Sequence, residues 1–331
     1  MKKDPRQIWD DGAEEWDSTW TSERNPHYHY YRTADLLVMQ LLRETGAKQA
    51  LELGCGTAGC SMYALQNLSE NKDLHITGID FSPRMVKIGQ QKVNRAGLED
   101  RITLQVGDVT TLPYPDESFD VIFSRGVVMS YVDQPEQLLW EAHRVLRVNG
   151  TLGLDVMNKG PGDPEIKERM RSHCMGKIMG FERMNKKSEF PHETLTYCEF
   201  STEDNYQVSR EYSVKPDTQL FNELKKKFQA LPPHLSGITQ RPQHLSEAEL
   251  VNERKNRLYG VEELQQIVTT RGFQNVKIYG LGYMLSLLRD EELRSFVNEN
   301  RDYFCKAEIV LQNKLRLDHA VHLFVSGQKS S

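Results

Sequence analysis

The stretch Ala50-Leu51-Glu52-Leu53-Gly54-Cys55-Gly56-Thr57-Ala58-Gly59 decides the fold of this chain. Its first four residues are typical of a buried strand, because a short apolar run ends at a glycine-rich turn. A helical pattern follows, carried by Ser61, Ala64, Leu65 and Leu68. The glycines let the backbone turn sharply and let a ligand approach the N–H groups that begin the helix. This stretch therefore predicts a turn that binds a nucleotide of some kind.

Strands and helices alternate beyond this turn. The pattern predicts strands at His75–Asp80, Ile102–Asp108, Phe119–Ser124 and Thr151–Met157, and helices at about Cys60–Leu68, Pro83–Ala96 and Gln134–Leu146. Ser82 is the expected N-cap of the second helix, and Pro83 suits its first turn. Short connections between alternating elements favour a doubly wound α/β fold with a mostly parallel sheet. Ligands of such folds bind at the carboxyl ends of the strands.

The regular pattern stops for about a hundred residues after Met157, in a polar stretch with Pro/Gly punctuation. Within it, Thr194–Phe200 and Tyr206–Val214 alternate like a hairpin, and Gln219–Ala230 is typical of a helix. A loop of this length is uncommon unless it is functional or forms a small subdomain. We therefore expect an inserted unit here.

The core pattern resumes with a helix at Val261–Thr270, a strand at Asn275–Leu281 and a last strand at Ala320–Ser326. Between these two strands, apolar residues at helical spacing predict one face of a long amphipathic helix: Leu293, Phe296, Val297, Phe304, Ala307, Val310 and Leu311. The chain then has four expected regions: an aromatic and helical cap (1–46), a ligand-binding core (47–157), a lid or substrate insertion (158–257), and a C-terminal part of the core (258–331) with a helical insertion at 282–319.

The first segment of the chain is rich in aromatic residues. Trp9, Trp16 and Trp20 precede the run Pro26-His27-Tyr28-His29-Tyr30-Tyr31-Arg32, and an amphipathic helix is predicted from about Thr33 to Glu44. Two interpretations are open. The rings pack this segment on the core, or some of them form the roof of a cofactor or substrate site.

Composition narrows the classes of function. The chain has 331 residues and 38% hydrophobic residues, which is ordinary for a soluble globular protein. Its net charge of −5 gives no electrostatic reason to expect a nucleic-acid backbone as partner. Residues 1–20 have no apolar signal region, and no apolar run approaches the length of a membrane span. The five cysteines have neither disulfide-framework nor zinc spacing. We expect a cytoplasmic protein without a metal site that binds neither nucleic acid nor membrane.

Two features of the turn do not distinguish which nucleotide cofactor it binds. Gly54-x-Gly56-x-x-Gly59 has the spacing of the dinucleotide fingerprint, and Asp80 lies about twenty residues further on, where a ribose-binding carboxylate belongs. On these features alone, an NAD-dependent dehydrogenase and an S-adenosylmethionine enzyme are equally favoured.

Four motifs between Ala50 and Val156 separate these alternatives: Leu51-Glu52-Leu53-Gly54-Cys55-Gly56-Thr57, Gly78-Ile79-Asp80-Phe81-Ser82-Pro83-x-Met85, Gly107-Asp108-Val109-x-x-Leu112-Pro113-Tyr114-x-Asp116-x-Ser118-Phe119-Asp120-Val121-Ile122 and Arg144-Val145-Leu146-Arg147-Val148-Asn149-Gly150. In order and spacing they resemble those of the class I S-adenosylmethionine-dependent methyltransferases, within them the group that includes ubiquinone and menaquinone biosynthesis enzymes. Two positions depart from the family pattern, where Ala58 and Asn149 replace glycines. We expect Ala58 to adopt helical φ and Asn149 to tolerate the left-handed region.

The resemblance implies a Rossmann-like class I methyltransferase fold with a seven-stranded sheet. The chain departs from the family by its long lid insertion after the fifth strand and by a helical insertion between the sixth and seventh strands, where the family has a tight hairpin. The resemblance also implies S-adenosyl-L-methionine as cofactor. The implied cofactor contacts are Glu52, Gly54, Cys55, Gly56, Gly59, Asp80, Phe81, Met85, Asp108, Val109, Ser124 and Arg125.

Three of these contacts have implied roles. Asp80 accepts from the ribose hydroxyls, Glu52 orients the methionine amino group, and Asp108 accepts from the adenine amino group. Simpler roles stay open for three residues: a helix cap for Asp80, a turn cap for Asp108, and a structural ion pair for Arg125.

Methyl transfer is an in-line displacement that depends mainly on holding the acceptor in line and excluding water. His27, His29 and Tyr31 are the candidate basic or orienting groups, with His173 and His192 as further histidines, although each can also be an ordinary side chain. The Asn/Asp-Pro-Pro-aromatic motif of enzymes that methylate nucleic-acid amino groups is absent after the fourth strand. We therefore expect a small-molecule acceptor, a metabolite or natural product.

Other functions remain as alternatives. One is an NAD-dependent oxidoreductase. The other is a non-catalytic cofactor-binding subunit whose long C-terminal helix serves a partner. The two insertions are also the candidate surfaces for a homodimer.

Overall fold

The structure of the chain, a computed structural model, describes residues 5–20, 28–160, 176–178, 195–230, 241–282, 296 and 299–330. The chain divides into two compact units. The first comprises Asp4–Gly160 and Leu258–Ser331, and the second contains Pro161–Arg257. The helical insertion expected at 282–319 lies largely outside the described residues before residue 299.

The strands of the described residues are, in chain order, β1 (Gln49–Leu53), β2 (His75–Asp80), β3 (Ile102–Val106), β4 (Phe119–Ser124), β5 (Leu146–Met157), β6 (Gly176–Ile178), β7 (Leu195–Glu203), β8 (Tyr206–Val214), β9 (Glu249–Arg257), β10 (Phe273–Leu281) and β11 (His322–Lys329). The α-helices are α1 (Pro5–Asp11), α2 (Ala13–Glu15), α3 (Tyr28–Thr45), α4 (Gly59–Asn67), α5 (Pro83–Arg95), α6 (Val128–Tyr131), α7 (Pro135–Val145), α8 (Gln219–Gln229), α9 (Val261–Thr270) and α10 (Arg301–Val310). A π-helical turn spans Trp16–Trp20.

The first unit is built on a seven-stranded sheet with the order β10-β11-β5-β4-β1-β2-β3. Neighbouring strands from β3 to β5 run parallel, whereas β11 is antiparallel to both β5 and β10. The predicted doubly wound, mostly parallel α/β fold is therefore confirmed. The interior strand β1 is buried on both faces, as the apolar run of the opening stretch requires.

The predicted elements of this unit are found with small shifts of their ends. The strands predicted at His75–Asp80 and Phe119–Ser124 are confirmed with those bounds. Strand β3 ends at Val106, because Asp108 accepts a hydrogen bond from the Thr110 N–H and closes a turn. Strand β5 begins at Leu146 rather than Thr151, since Leu146 already pairs with Phe119.

The start of helix α5 is fixed by the residue before it. Ser82 is its N-cap, and the Ser82 hydroxyl accepts a hydrogen bond of 3.1 Å from the Met85 N–H. Pro83 occupies the first turn, as predicted. On the buried face of the helix lie Met85, Gly89 and Val93. This cap places residues 80–85 beside the end of β2.

Two hydrophobic clusters form the core of the first unit. One contains Leu138, Leu139 and Val145 of α7 with residues of β4, β5 and α9. The other joins α3 and α4 to the sheet and includes Leu42, Leu65 and Phe123. Helix α3 begins at Tyr28, earlier than the predicted Thr33, so part of the aromatic run is helical.

The second unit contains a four-stranded antiparallel sheet in the order β6-β7-β8-β9. The predicted hairpin is confirmed as β7 and β8, with β7 extending to Glu203. Strand β9 was not predicted, because its sequence ELVNERKNR is too polar to show alternation. Helix α8 buries Leu220 and Leu224 in a small core with Tyr197 and Val214.

Part of the helix predicted between the last two strands is found as α10. Of the apolar residues predicted for one of its faces, Val310 is 80% exposed and Phe296 54%. The buried residues of α10 are Arg301, Cys305 and Glu308. The Glu308 carboxylate accepts a hydrogen bond of 3.3 Å from the Thr33 hydroxyl of α3. Polar contacts with α3, which sequence periodicity does not reveal, orient this helix.

Candidate functional site

A cavity of about 320 Å³ opens at the carboxyl ends of β1, β2, β3 and β4. Of the residues predicted as cofactor contacts, all but Ser124 line it: Glu52, Gly54, Cys55, Gly56, Gly59, Asp80, Phe81, Met85, Asp108, Val109 and Arg125. Ser124 is buried behind the wall of the cavity, with 1% of its surface exposed. The position agrees with the rule that open α/β sheets bind ligands at these strand ends.

The glycine turn after β1 forms the floor of the cavity. Gly54 has φ +66° and Gly56 has φ +50°. At these positive φ values the backbone of any residue other than glycine is strained. A Cβ on Gly54 would lie 2.2 Å from Cγ2 of Val128, so this position also requires glycine for space. Ala58 has φ +63° and is the N-cap of α4, and the expectation that it adopts helical φ is therefore wrong. Asn149, at φ +63°, is left-handed as expected.

Asp80 holds the turn through its carboxylate. One carboxylate oxygen accepts from the Gly56 N–H and the other from the Ser82 N–H, both at 2.9 Å. Burial raises the pKa of Asp80 above its ordinary value, and the two backbone N–H groups oppose this rise. Asp80 therefore both fixes the backbone of the glycine turn and lines the cavity. Each oxygen retains capacity to accept from a ligand hydroxyl.

Glu52 is the most deeply buried carboxylate of the cavity wall, with 2% of its surface exposed. It accepts a hydrogen bond from the Ser61 hydroxyl of α4. Burial raises the pKa of Glu52 to about 7, although this hydrogen bond and the guanidinium of Arg125 oppose the rise. A ligand cation beside Glu52 would favour its ionised form.

Arg125 supplies a guanidinium to the same wall. Its Nε lies 3.1 Å from the Asp35 carboxylate of α3, and both side chains are less than a tenth exposed. The guanidinium carbon lies 4.9 Å from the centre of the Tyr31 ring. The structural ion pair considered from the sequence is present, and Arg125 also faces the cavity. Sequence reasoning missed Asp35, which lies 90 residues away along the chain.

The carboxylate after β3 also combines two roles. Asp108 accepts from the Thr110 N–H at 2.9 Å and from the Thr110 hydroxyl at 2.6 Å, which is the turn cap considered from the sequence. It also lines the cavity and lies 3.7 Å from the guanidinium of Arg6. Phe81, Met85 and Val109 supply apolar surface beside it.

Aromatic side chains of the first segment contribute to the cavity wall. Trp9 contacts Trp16 and Tyr131 edge-on, with ring centroids 5.3 and 5.4 Å apart, and all three line the cavity. Both interpretations of these rings apply. Trp9 and Trp16 line the cavity, whereas Tyr31 is buried in the core and Trp16 also packs against that core. Nε1 of Trp16 lies 3.7 Å from the place where a Cβ on Gly56 would be.

Carboxylates of the same segment fasten it to the glycine turn and to α5. Asp10 accepts from the Ser82 hydroxyl and from the Arg84 N–H, while Asp17 accepts from the Thr57 hydroxyl at 2.7 Å and pairs with Lys92 at 2.5 Å. This segment therefore covers the cavity at a fixed place.

The candidate catalytic residues have different places. His27, His173 and His192 lie outside the described residues, and His29 lies in α3 with a side chain that is not described. Tyr31 is buried beside Arg125 and is not among the lining residues of the cavity. Arg32 stacks on Tyr63 and pairs with Asp302 at 3.6 Å.

Sequence reasoning also missed the loop after β4 as part of the site. Gly126, Val128, Val132, Asp133 and Gln134 line the cavity. The one sequence signal that could have identified these residues is that they come shortly after the carboxyl end of β4.

None of the helices described has the length and hydropathy to span a membrane. Within the same part of the chain, no group of three His, Cys, Asp or Glu side chains could hold a metal ion.

Part of the chain is similar in sequence to known methyltransferases. Residues 51–154 match the family model described as a methyltransferase domain. A demethylmenaquinone methyltransferase of Listeria welshimeri is 36% identical over 114 residues, which cover 34% of this chain and 47% of the relative. A phosphoethanolamine N-methyltransferase of Triticum aestivum is 32% identical over 126 residues, covering 38% of this chain and 24% of the relative. The chain thus spans at most about half the length of these curated relatives.

Solved structures share the fold over most of the chain. The CcbJ methyltransferase from Streptomyces caelestis aligns with a TM-score of 0.55 at 13% identity, covering 98% of this chain and 96% of that one. An S-adenosylmethionine-dependent methyltransferase from Clostridium acetobutylicum aligns with a TM-score of 0.52 at 12% identity, covering 91% and 92%. At such low identity these likenesses concern the fold alone. The match to the family model identifies residues 51–154 of this chain as a methyltransferase domain.

Proposed function

We propose that this protein transfers a methyl group from S-adenosyl-L-methionine to a small-molecule acceptor. The observation that carries the proposal is the single cavity wall on which Glu52, Asp80, Asp108 and Arg125 all lie. The hydrogen-bond donors and acceptors of these side chains match those of the cofactor. The glycine turn at the floor of the cavity also leaves space for the cofactor that a side chain would fill.

Each polar group of the wall has a matching partner on the cofactor. Asp80 would accept from the ribose hydroxyls, and Glu52 from the methionine ammonium group. Arg125 would contact the methionine carboxylate, and Asp108 would accept from the adenine amino group, with Val109 against the ring. A diphosphate fits this wall poorly, because four carboxyl side chains line it (Glu52, Asp80, Asp108 and Asp133) beside the one guanidinium of Arg125. This charge pattern disfavours the NAD-dependent alternative.

The cofactor supplies a methyl group activated on a sulfonium. The protein aligns the acceptor with the methyl group and keeps water out of the site, since in-line displacement gains most from alignment of the reacting atoms. Trp9 and Trp16 exclude water from one side of the cavity, and the carboxylate contacts of their segment hold them there. The described side chains of the wall include no histidine, so His27, His29 and Tyr31 stay predictions for the group that orients or deprotonates the acceptor.

A small-molecule acceptor is favoured by the charge of the chain and by the names of its relatives. The cavity of about 320 Å³, at the lower end of the range for small-ligand sites, is assigned to the cofactor itself. The net charge of −5 gives no general attraction for a nucleic-acid backbone. By their names, the relatives with matched sequence act on a quinone precursor and on phosphoethanolamine, both small molecules.

Calorimetric titration with S-adenosylhomocysteine tests the cofactor assignment. We expect saturable binding that is lost in Asp80→Asn and retained in Asp116→Asn, a side chain that is 74% exposed and remote from the cavity lining. NADH serves as the competing ligand, and binding of NADH without S-adenosylhomocysteine would contradict the proposal. Turnover with radiolabelled cofactor and a metabolite panel tests the acceptor class. Transfer only to RNA or protein would refute it.

Tryptophan fluorescence gives an independent readout of the same binding. The indole of Trp16 faces the cavity, whereas Trp140 lies on α7 with 46% of its surface exposed and outside the lining. We expect S-adenosylhomocysteine to change the emission of the wild-type protein and of Trp140→Phe. The change should be much smaller in Trp9→Phe/Trp16→Phe, which removes both indoles that line the cavity. An equal change in both variants would contradict the place assigned to the cofactor.

A further inference from the structure

A buried carboxylate outside the cavity wall has no role in the function proposed above. Asp155 lies on β5 and is fully buried. Its two oxygens lie 3.0 and 3.1 Å from the Gly126 nitrogen, and one of them also lies 2.9 Å from the Val127 nitrogen. Both N–H groups belong to the loop after β4. A buried carboxylate that accepts only from one loop is a strong constraint on that loop, because charge-assisted hydrogen bonds are about twice as strong as neutral ones.

The backbone that Asp155 holds is in an unfavourable conformation. Gly126 has φ +122° and Val127 has φ +56°. Left-handed backbone is strained for any side chain, and most of all for a β-branched one. Such a residue persists only where the surroundings over-determine it. The carboxylate of Asp155 accepts from the N–H of the strained residue itself.

This strained turn sets the position of the cavity wall. Residue Val127 is followed directly by Val128, whose Cγ2 fills the space above Gly54 that a Cβ would otherwise occupy. Helix α6 then begins, and the Ser130 hydroxyl accepts a 2.9 Å hydrogen bond from the Met157 N–H of β5. Arg125, immediately before the turn, faces the cavity. The loop is thus seated on the glycine turn on one side and on β5 on the other.

We propose that Asp155 is a positioning residue for cofactor binding: it holds Val127 in the left-handed conformation and thereby places Arg125 and Val128 in the cavity wall. This inference rests on the proposed function. Asp155 touches no ligand and acts through the loop.

The protonation state of Asp155 is consistent with this role. Burial raises the pKa of Asp155 to about 6, while the N–H groups of Gly126 and Val127 and the guanidinium of Arg125 oppose the rise. At neutral pH the group is therefore ionised and acts as an acceptor only.

The test combines removal of the carboxylate with relief of the strain. Asp155→Asn is nearly isosteric but replaces one acceptor oxygen by a donor that faces the loop N–H groups. We expect its affinity for S-adenosylhomocysteine to fall by about tenfold or more, since hydrogen bonds to a charged group are lost. Adding Val127→Gly should restore at least about fivefold, because glycine adopts left-handed φ without penalty.

The matched control is Val127→Ala in the same Asp155→Asn background. Alanine truncates the buried side chain of Val127 almost as much as glycine does, but it keeps the part of the left-handed penalty that every Cβ carries. We expect alanine to rescue much less affinity than glycine. Equal affinities of the two double variants, or wild-type affinity of Asp155→Asn, would overturn the inference. If Asp155→Asn is too unstable to titrate, the urea midpoints of the double variants give the same comparison, with the glycine variant expected to be the more stable.

Amide hydrogen exchange separates this inference from the proposed function. Exchange at Gly126 and Val127 should accelerate in Asp155→Asn without any ligand, while the amides of β2 stay protected. Unchanged exchange at both residues would overturn the positioning role. Failure of the wild-type protein to bind S-adenosylhomocysteine would instead refute the proposed function and leave the exchange result to decide the role of Asp155.

Discussion

Cofactor affinity should depend on pH through Glu52. Burial raises the pKa of this carboxyl group from 4.5 to about 7, with the nearby Asp35 adding to the rise and Ser61 and Arg125 opposing it. We propose that the ionised form receives the ammonium group of the ligand, so the ligand must displace a proton below pH 7. The affinity for S-adenosylhomocysteine should therefore fall as the solution becomes more acidic.

The magnitude follows from the titration curve of one group. With a pKa of about 7, roughly a tenth of Glu52 is ionised at pH 6 and roughly nine-tenths at pH 8, which predicts an affinity about tenfold higher at pH 8. Binding at pH 6 should release about 0.9 proton, and binding at pH 8 about 0.1.

Loss of the fold at low pH would not explain this change. Because the folded-state pKa of Glu52 is raised, its contribution to stability is most favourable below about pH 4.5 and is lost as the pH rises through 7. For this group, acid stabilises the fold while it weakens ligand binding. The two effects have opposite signs and can be separated.

Calorimetry at pH 6, 7 and 8, in buffers of different ionisation enthalpy, measures both the affinity and the proton release. Glu52→Gln should bind more weakly and lose the dependence on pH. Glu99→Gln, which removes an exposed carboxylate after α5, should keep the wild-type profile. Equal affinity at pH 6 and pH 8, without proton release, would refute the assignment of Glu52 to the ligand ammonium group.

Two further variants test the structure of the cavity wall by urea unfolding. Gly54→Ala should cost more than about 2 kcal/mol, because left-handed strain adds to overlap with Val128, whereas Gly97→Ala should cost about 1 kcal/mol, since Gly97 has φ +64° but open space around it. Equal costs would contradict the contact with Val128. Asp35→Asn should cost about 3 kcal/mol or more, because it leaves the buried guanidinium of Arg125 unpaired; a cost below about 1 kcal/mol would show that the pair is not buried in solution.

The local features of the core could be predicted from the sequence. The strand before Gly54, the cap at Ser82 and the strands β2 and β4 depend on residues close together in the chain, and the structure has them as predicted. The cavity position follows as well, because parallel strands present their carboxyl ends at one edge. The predicted wall residues were therefore found together, apart from Ser124.

Contacts between distant residues could not be predicted in this way. Asp35 and Asp155 lie on other elements and reach the loop after β4 through tertiary packing. Neither has a sequence signal, since a buried aspartate and an exposed one look alike in a single sequence. The left-handed φ of Ala58 was missed because alanine carries no mark of that conformation. The buried face of α10 was missed because polar residues occupy it.

The sequence by itself determined the class of fold and the chemistry of the glycine turn, because spacing, periodicity and capping act over a few residues. The tertiary structure alone decided which side chains hold that turn in place: Val128 above Gly54, Asp80 beneath Gly56, and Asp35 and Asp155 behind the loop after β4. The physical reason is burial. A carboxylate removed from water must find N–H groups or a guanidinium, and only the folded chain brings those partners within reach.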